Sequence, residues 1–69
     1  MSAHVYKTTE LYGSSPVGLQ QAIENAVAKA AQTVRNMRWF EMTEVRGHLN
    51  GGKVEHWQVG IKIGFTLED

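Results

Sequence analysis

The sequence has no cysteine, one proline and no net charge, seven Lys and Arg balancing seven Asp and Glu. Without cysteine there is no disulfide framework, no thiolate metal cluster and no cysteine nucleophile. Small secreted domains usually carry disulfides, so a cytoplasmic location is expected. The charge balance argues against nucleic acid as a partner, because phosphate backbones are bound through a basic surface. No apolar run approaches the roughly 20 residues of a membrane helix, and the N-terminus lacks a signal-peptide core, so no membrane association is expected.

At 69 residues, the chain is read as one domain over residues 1–69. A chain of about 60–70 residues buries only about 60% of its unfolded surface and is marginally stable alone. Such scaffolds gain stability from disulfides, a structural metal or a partner subunit. Disulfides are impossible here. The three histidines, His4, His48 and His56, lack the short paired spacing of a zinc site, and no metal site is expected. Self-association is the remaining route.

Residues 4–12 are rich in β-branched and aromatic types and stop at Gly13-Ser14-Ser15, which predicts a first strand. Ser15 as a cap and Pro16 at the first helical position signal a helix start. Leu19, Ile23, Ala26, Val27, Ala30 and Val34 then recur at three- and four-residue spacing, predicting a helix over 16–35 that ends near Asn36. Its alanines make a thin stripe on which a sheet can pack closely. Residues 38–49 read as a second strand whose parity changes midway, Phe40 and Met42 against Val45 and Leu49. A bulge or strong bend would reconcile the two halves. Asn50-Gly51-Gly52 predicts a hairpin turn, with His48 and His56 opposed across it.

Over 57–67 every odd position is apolar (Trp57, Val59, Ile61, Ile63, Phe65, Leu67) and no even position is bulky and apolar. This is a long strand with one face on a core. The predicted fold is α+β: a β-α-β-β chain whose three-stranded antiparallel sheet curves around one helix, with the third strand in the centre. The helix is expected to cover one sheet face.

The even face carries Gly60 and Gly64 beside Gln58 and Lys62. Glycine weakens a strand, a cost tolerated where a ligand or another backbone comes close; the alternative is a solvated face whose glycines relieve bending strain. Trp39 can be a core residue. However, Phe40 has the opposite parity and is the natural core member of the pair, which leaves Trp39 on the open face. A large exposed aromatic there needs a partner, either another subunit or a flat ligand.

Arg38-Trp39-Phe40-Glu41, Arg46-Gly47, Trp57-Gln58-Val59 and Lys62-Ile63-Gly64-Phe65-Thr66-Leu67-Glu68, together with Val5-Tyr6-Lys7 and Gly13-Ser14-Ser15, resemble the dodecin family in order and length. The resemblance implies a hollow homododecamer that binds flavins in pairs at subunit interfaces. It gives Trp39 the stacking role and Gln58 the edge of the isoalloxazine ring, which an amide with one acceptor and two donors can meet. It places Arg46 near the phosphate of FMN; a strand-surface cation or an intersubunit ion pair is the other reading. Bacterial members often carry arginine or another polar residue where this chain has Thr66, which puts the strength of phosphate binding in question. Lys62 and His48 are the remaining candidates for supplementary charge.

The sequence offers no nucleophile–base arrangement, because Ser14 and Ser15 read as turn and cap residues. If Trp39 covers one flavin face and a second flavin the other, no substrate has a place to sit. The expectation is a non-enzymatic protein for flavin storage, buffering and photoprotection, holding FMN or riboflavin. The alternative is a structural or partner-binding oligomer that takes coenzyme A or another phosphate-bearing ligand, with flavin incidental.

Overall fold

The computed structural model describes residues 4–67 and contains, in chain order, β1 (Tyr6–Ser15), α1 (Leu19–Ala30), β2 (Met37–Asn50) and β3 (Lys53–Thr66). The strands form one antiparallel sheet in the order β1-β3-β2, with the expected third strand in the centre. The odd residues Val59, Ile61 and Ile63 of β3 are buried against Ala22, Ala26 and Ala30 of α1, and these six form the core. Trp57 and Phe65 are half-buried, and Leu67 lies exposed past the strand end.

Two boundaries differ from the expectation for one physical reason, the closeness of β1 to the helix. Gly13 does not end the first strand in a turn. It lies beneath α1, where an added Cβ would stand 2.1 Å from the Ala22 carbonyl oxygen and 2.8 Å from the Ala26 Cβ. The strand therefore runs on to Ser15, which is buried, and the Ser15 hydroxyl accepts the Val17 N–H at 3.0 Å. Ser15 and Pro16 thus make the turn before the helix, and the N-cap is Gly18, whose carbonyl accepts the Ala22 N–H at 3.1 Å.

The helix also stops earlier than 35. Gln32 and Thr33 donate to Lys29 and Ala30 three residues back, at 3.2 and 3.1 Å, tightening the last turn. Val34 lies past the helix rather than on its stripe. Asn36 takes the left-handed conformation anticipated for it, φ 63°, where it turns the chain into β2.

The parity change in β2 is a bulge. Met42 pairs with Ile61 and Glu44 with Gly60, leaving Thr43 as the extra residue that returns Val45 to the side of Phe40 and Met42. The hairpin turn itself is Gly51-Gly52, both at positive φ (60° and 79°), while Asn50 remains in the ladder opposite Lys53. His48 and His56 oppose one another, ring centroids 6.5 Å apart.

The helix does not cover a whole sheet face. Its 12 residues span about 18 Å, whereas the 14-residue strands span about 46 Å. It packs on β1 and β3, and among the described residues its backbone makes no close approach to β2. Phe40, expected in the core, is 50% exposed and meets the helix only across a groove of about 460 Å³ lined also by Ile23, Val27 and Ala28. Met42, Val45, Leu49 and Val54 continue this apolar strip into the hairpin arm, and Leu49 is 75% exposed.

The shape carries the same message. The molecule measures 56 × 20 × 13 Å with a radius of gyration of 14.5 Å, against about 11 Å for a compact domain of this length. Its accessible surface is 5166 Å², about 800 Å² more than the scaling for a 7.7 kDa monomer gives. That excess equals one partner's share of a standard protein interface.

Candidate functional site

The even residues of β3 line the sheet face opposite the helix, and the ladders assign their neighbours. Gly64 lies between Thr8 and Trp39, Lys62 between Glu10 and Glu41, Gly60 between Tyr12 and Glu44, and Gln58 between Ser14 and Arg46. His56 and His48 follow at the arm.

Trp39 lies on this open face, opposite in facing to Phe40. Its indole covers Gly64 so closely that an added Cβ there would stand 2.1 Å from Cε2 and 2.2 Å from Cζ2. A glycine near the end of the central strand is thereby protected by a cross-strand aromatic ring. Tyr6 stands beside the indole, ring centroids 6.4 Å apart at 53°, and Trp39 remains 42% exposed. The result is a flat, apolar, accessible platform fixed to the central strand. Gly60 is filled likewise: an added Cβ would meet the Tyr12 ring at 2.8 Å, Glu44 Cγ at 2.9 Å and Thr43 Oγ1 at 3.0 Å. Both glycines serve side chains of the neighbouring strands.

The polar end of the face is built around Arg46. Its Nη1 donates to Gln58 Oε1 at 3.2 Å, its Nη2 is paired with the Glu44 carboxylate, and its Cζ lies 5.6 Å from the centroid of the Tyr12 ring. Glu44 and Arg46 share a face because they are two residues apart on one strand. Among the described residues, no group of three or more His, Asp or Glu side chains is arranged to hold a metal ion, and no helix is long and apolar enough to cross a membrane.

Comparison with known proteins decides what kind of chain this is. Residues 5–68 match the dodecin family profile. The chain belongs to the dodecin family. A dodecin from Thermus thermophilus is 45% identical over 65 residues, 94% of each chain. Among solved structures, dodecin from Streptomyces coelicolor is 55% identical with a TM-score of 0.92, covering 100% of this chain and 99% of its own. Dodecin from Streptomyces davaonensis is 50% identical, also at 0.92, covering 99% and 100%. The β-α-β-β order and three-stranded antiparallel sheet are those of these dodecins.

Within one dodecin chain the candidate residues form two groups. Trp39 and half-buried Thr66 lie at one end, since Thr66 pairs with the Tyr6 that flanks the indole. Gln58 and Arg46 lie at the other, with His48 one step beyond. Gln58 is six residues from Gly64 along β3, about 20 Å at the rise of an extended strand. Lys62 is exposed midway, between two carboxylate residues. Sequence reasoning missed Glu44, Tyr12 and Tyr6. The Glu44–Arg46 spacing carried its own signal once residues 38–49 were read as a strand; the two tyrosines needed the β1–β3 register, which no local pattern encodes.

Proposed function

We propose that this dodecin chain is one subunit of a hollow homododecamer that stores and photoprotects flavin, FMN or riboflavin, in stacked pairs between Trp39 rings of neighbouring subunits. The observation that carries this reading is the Trp39 platform: an indole pinned to Gly64 on the open sheet face and 42% exposed. Such a ring gains from a flat aromatic partner, offset-stacked, by about 0.5–1.5 kcal/mol beyond its area burial. The excess surface and the apolar strip of β2 supply the reason to assemble. The roughly 20 Å between Trp39 and Gln58 within one chain means that a single ring contacting both draws them from different subunits.

The chain's contribution is positioning. Trp39 covers a ring face, Gln58 offers amide hydrogen bonds to the ring edge, Lys62 and Arg46 supply cationic groups along the same face, and His48 adds an imidazole. Thr66 contributes a hydroxyl and no charge. A ring closed between an indole and a second ring exposes no face to a substrate, so the protein binds its cofactor without catalysis, and close stacking on indole quenches flavin emission.

Titrating FMN with the protein while recording flavin fluorescence tests the reading. Emission falls as sites fill and returns when the protein is denatured. Full emission in excess protein contradicts flavin storage and leaves the structural oligomer, with coenzyme A or another phosphate-bearing ligand, as the surviving class.

A further inference from the structure

We propose that Arg46 is a positioning residue for Gln58: it fixes which way the Gln58 amide faces, and through it the edge of the flavin ring the site accepts. This inference rests on the flavin-binding reading of the open face. An amide side chain presents an acceptor on one side and two donors on the other, and rotating it by half a turn exchanges the two. An unrestrained glutamine therefore recognises a ring edge ambiguously.

Here the ambiguity is removed. Arg46 Nη1 donates to Gln58 Oε1 at 3.2 Å. In the rotated state the Gln58 NH₂ would confront an arginine N–H, donor against donor, and the guanidinium has no acceptor to offer. Arg46 is itself held at two further points, by the Glu44 carboxylate through Nη2 and by the Tyr12 ring 5.6 Å from Cζ. A planar fork held on three sides transmits a direction, which a flexible ammonium would not. The Gln58 carbonyl is thus turned toward Arg46 and its NH₂ away from it, toward a carbonyl acceptor of the bound ring. The second lone pair of the Gln58 carbonyl remains for a ring N–H. Arg46 therefore acts on the ring edge and not only on a phosphate, and its charge is already partnered within the chain by Glu44.

A tail-less flavin separates the two roles. Lumiflavin has the ring but neither the ribityl chain nor the phosphate, so a phosphate contact cannot affect its binding. Quenching titrations with lumiflavin and FMN are run on the wild-type assembly, Arg46→Met, Gln58→Ala and the double variant. Arg46→Met is expected to weaken lumiflavin by about tenfold, because the freed Gln58 side chain must then be ordered and its amide orientation chosen on binding, and to weaken FMN at least as much. In the Gln58→Ala background the same substitution is expected to change lumiflavin affinity less than about twofold, because its effect runs through Gln58. The side chain of Arg46 is 54% exposed, so its loss opens no core. Arg46→Lys serves as the second variant, keeping the charge without the fork, and is expected to lose nearly as much lumiflavin affinity as Arg46→Met.

Wild-type lumiflavin affinity in Arg46→Met or Arg46→Lys, with loss confined to FMN, overturns the positioning role and leaves the flavin reading intact. An undiminished loss in the Gln58→Ala background overturns it as well. Absence of quenching by either flavin in the wild type overturns the flavin reading, and this inference with it.

Discussion

Trp39 and Gly64 act as one unit. The glycine makes room for the indole, and the indole shields the backbone that the glycine leaves bare. Replacing Trp39 with Ala removes the platform but no buried core atom. The expected outcome is a loss of FMN affinity of at least about tenfold, with the assembly unchanged in native gel migration. Collapse of the assembly would give Trp39 a structural role instead. Gly13 is the complementary case, a glycine set by packing. A methyl group at Gly13 meets the Ala22 carbonyl oxygen, a backbone atom that moves only if the helix lifts from the sheet. Gly13→Ala is expected to destabilise by about 2–3 kcal/mol, the upper range of overpacking costs. Gly18→Ala, where nothing lies within 4 Å, loses only the preference of the N-cap for glycine over alanine and is expected to cost less. Equal thermal midpoints for the two variants would contradict the close-approach explanation.

At the scale of elements, β2 is paired with β3 but its apolar side is left uncovered by α1. Bulged at Thr43 so that Phe40, Met42 and Val45 share a side, it lays an apolar strip beyond the reach of a helix of 12 residues. Phe40 is exposed in the single chain, so Phe40→Asp is expected to cost the isolated subunit little. Its effect falls on assembly: size-exclusion chromatography should show smaller species, with a lower thermal midpoint, because a carboxylate buried in an interface loses its hydration without a counter-charge. An unchanged elution volume would place β2 on a free surface.

The same strand shows what local sequence encodes. The period-two run of β3 and the parity change in β2, read as a bulge or strong bend, were readable, because alternation reports which side of a sheet each residue faces. The opposite facing of Trp39 and Phe40 was readable for the same reason. The helix start was not. Ser15-Pro16 is a strong local signal, but the Gly13–Ala22–Ala26 contact extends β1 and moves the start to Gly18, and that contact is tertiary. The exposure of Phe40 was missed because parity gives the side a residue faces and not whether the helix reaches that far. The Arg46–Gln58 contact depends on the β2–β3 register, and the Tyr12 contact on that of β1–β3.

For the whole molecule, the decisive quantities are extension and surface. A radius of gyration of 14.5 Å and a surface of 5166 Å² describe a chain whose long hairpin arm extends past its small core. The two halves of the proposed site lie at opposite ends of one sheet face, and in the proposed assembly subunit contacts close it. Assembly and ligand binding are then linked, each stabilising the other by mass action. The central claim, that copies of this chain close around flavin, is tested most directly by a native mass spectrum of the purified protein incubated with FMN. The predicted result is a single dodecameric species carrying FMN in pairs. A monomer or small oligomer, or a dodecamer that leaves FMN free, would contradict it.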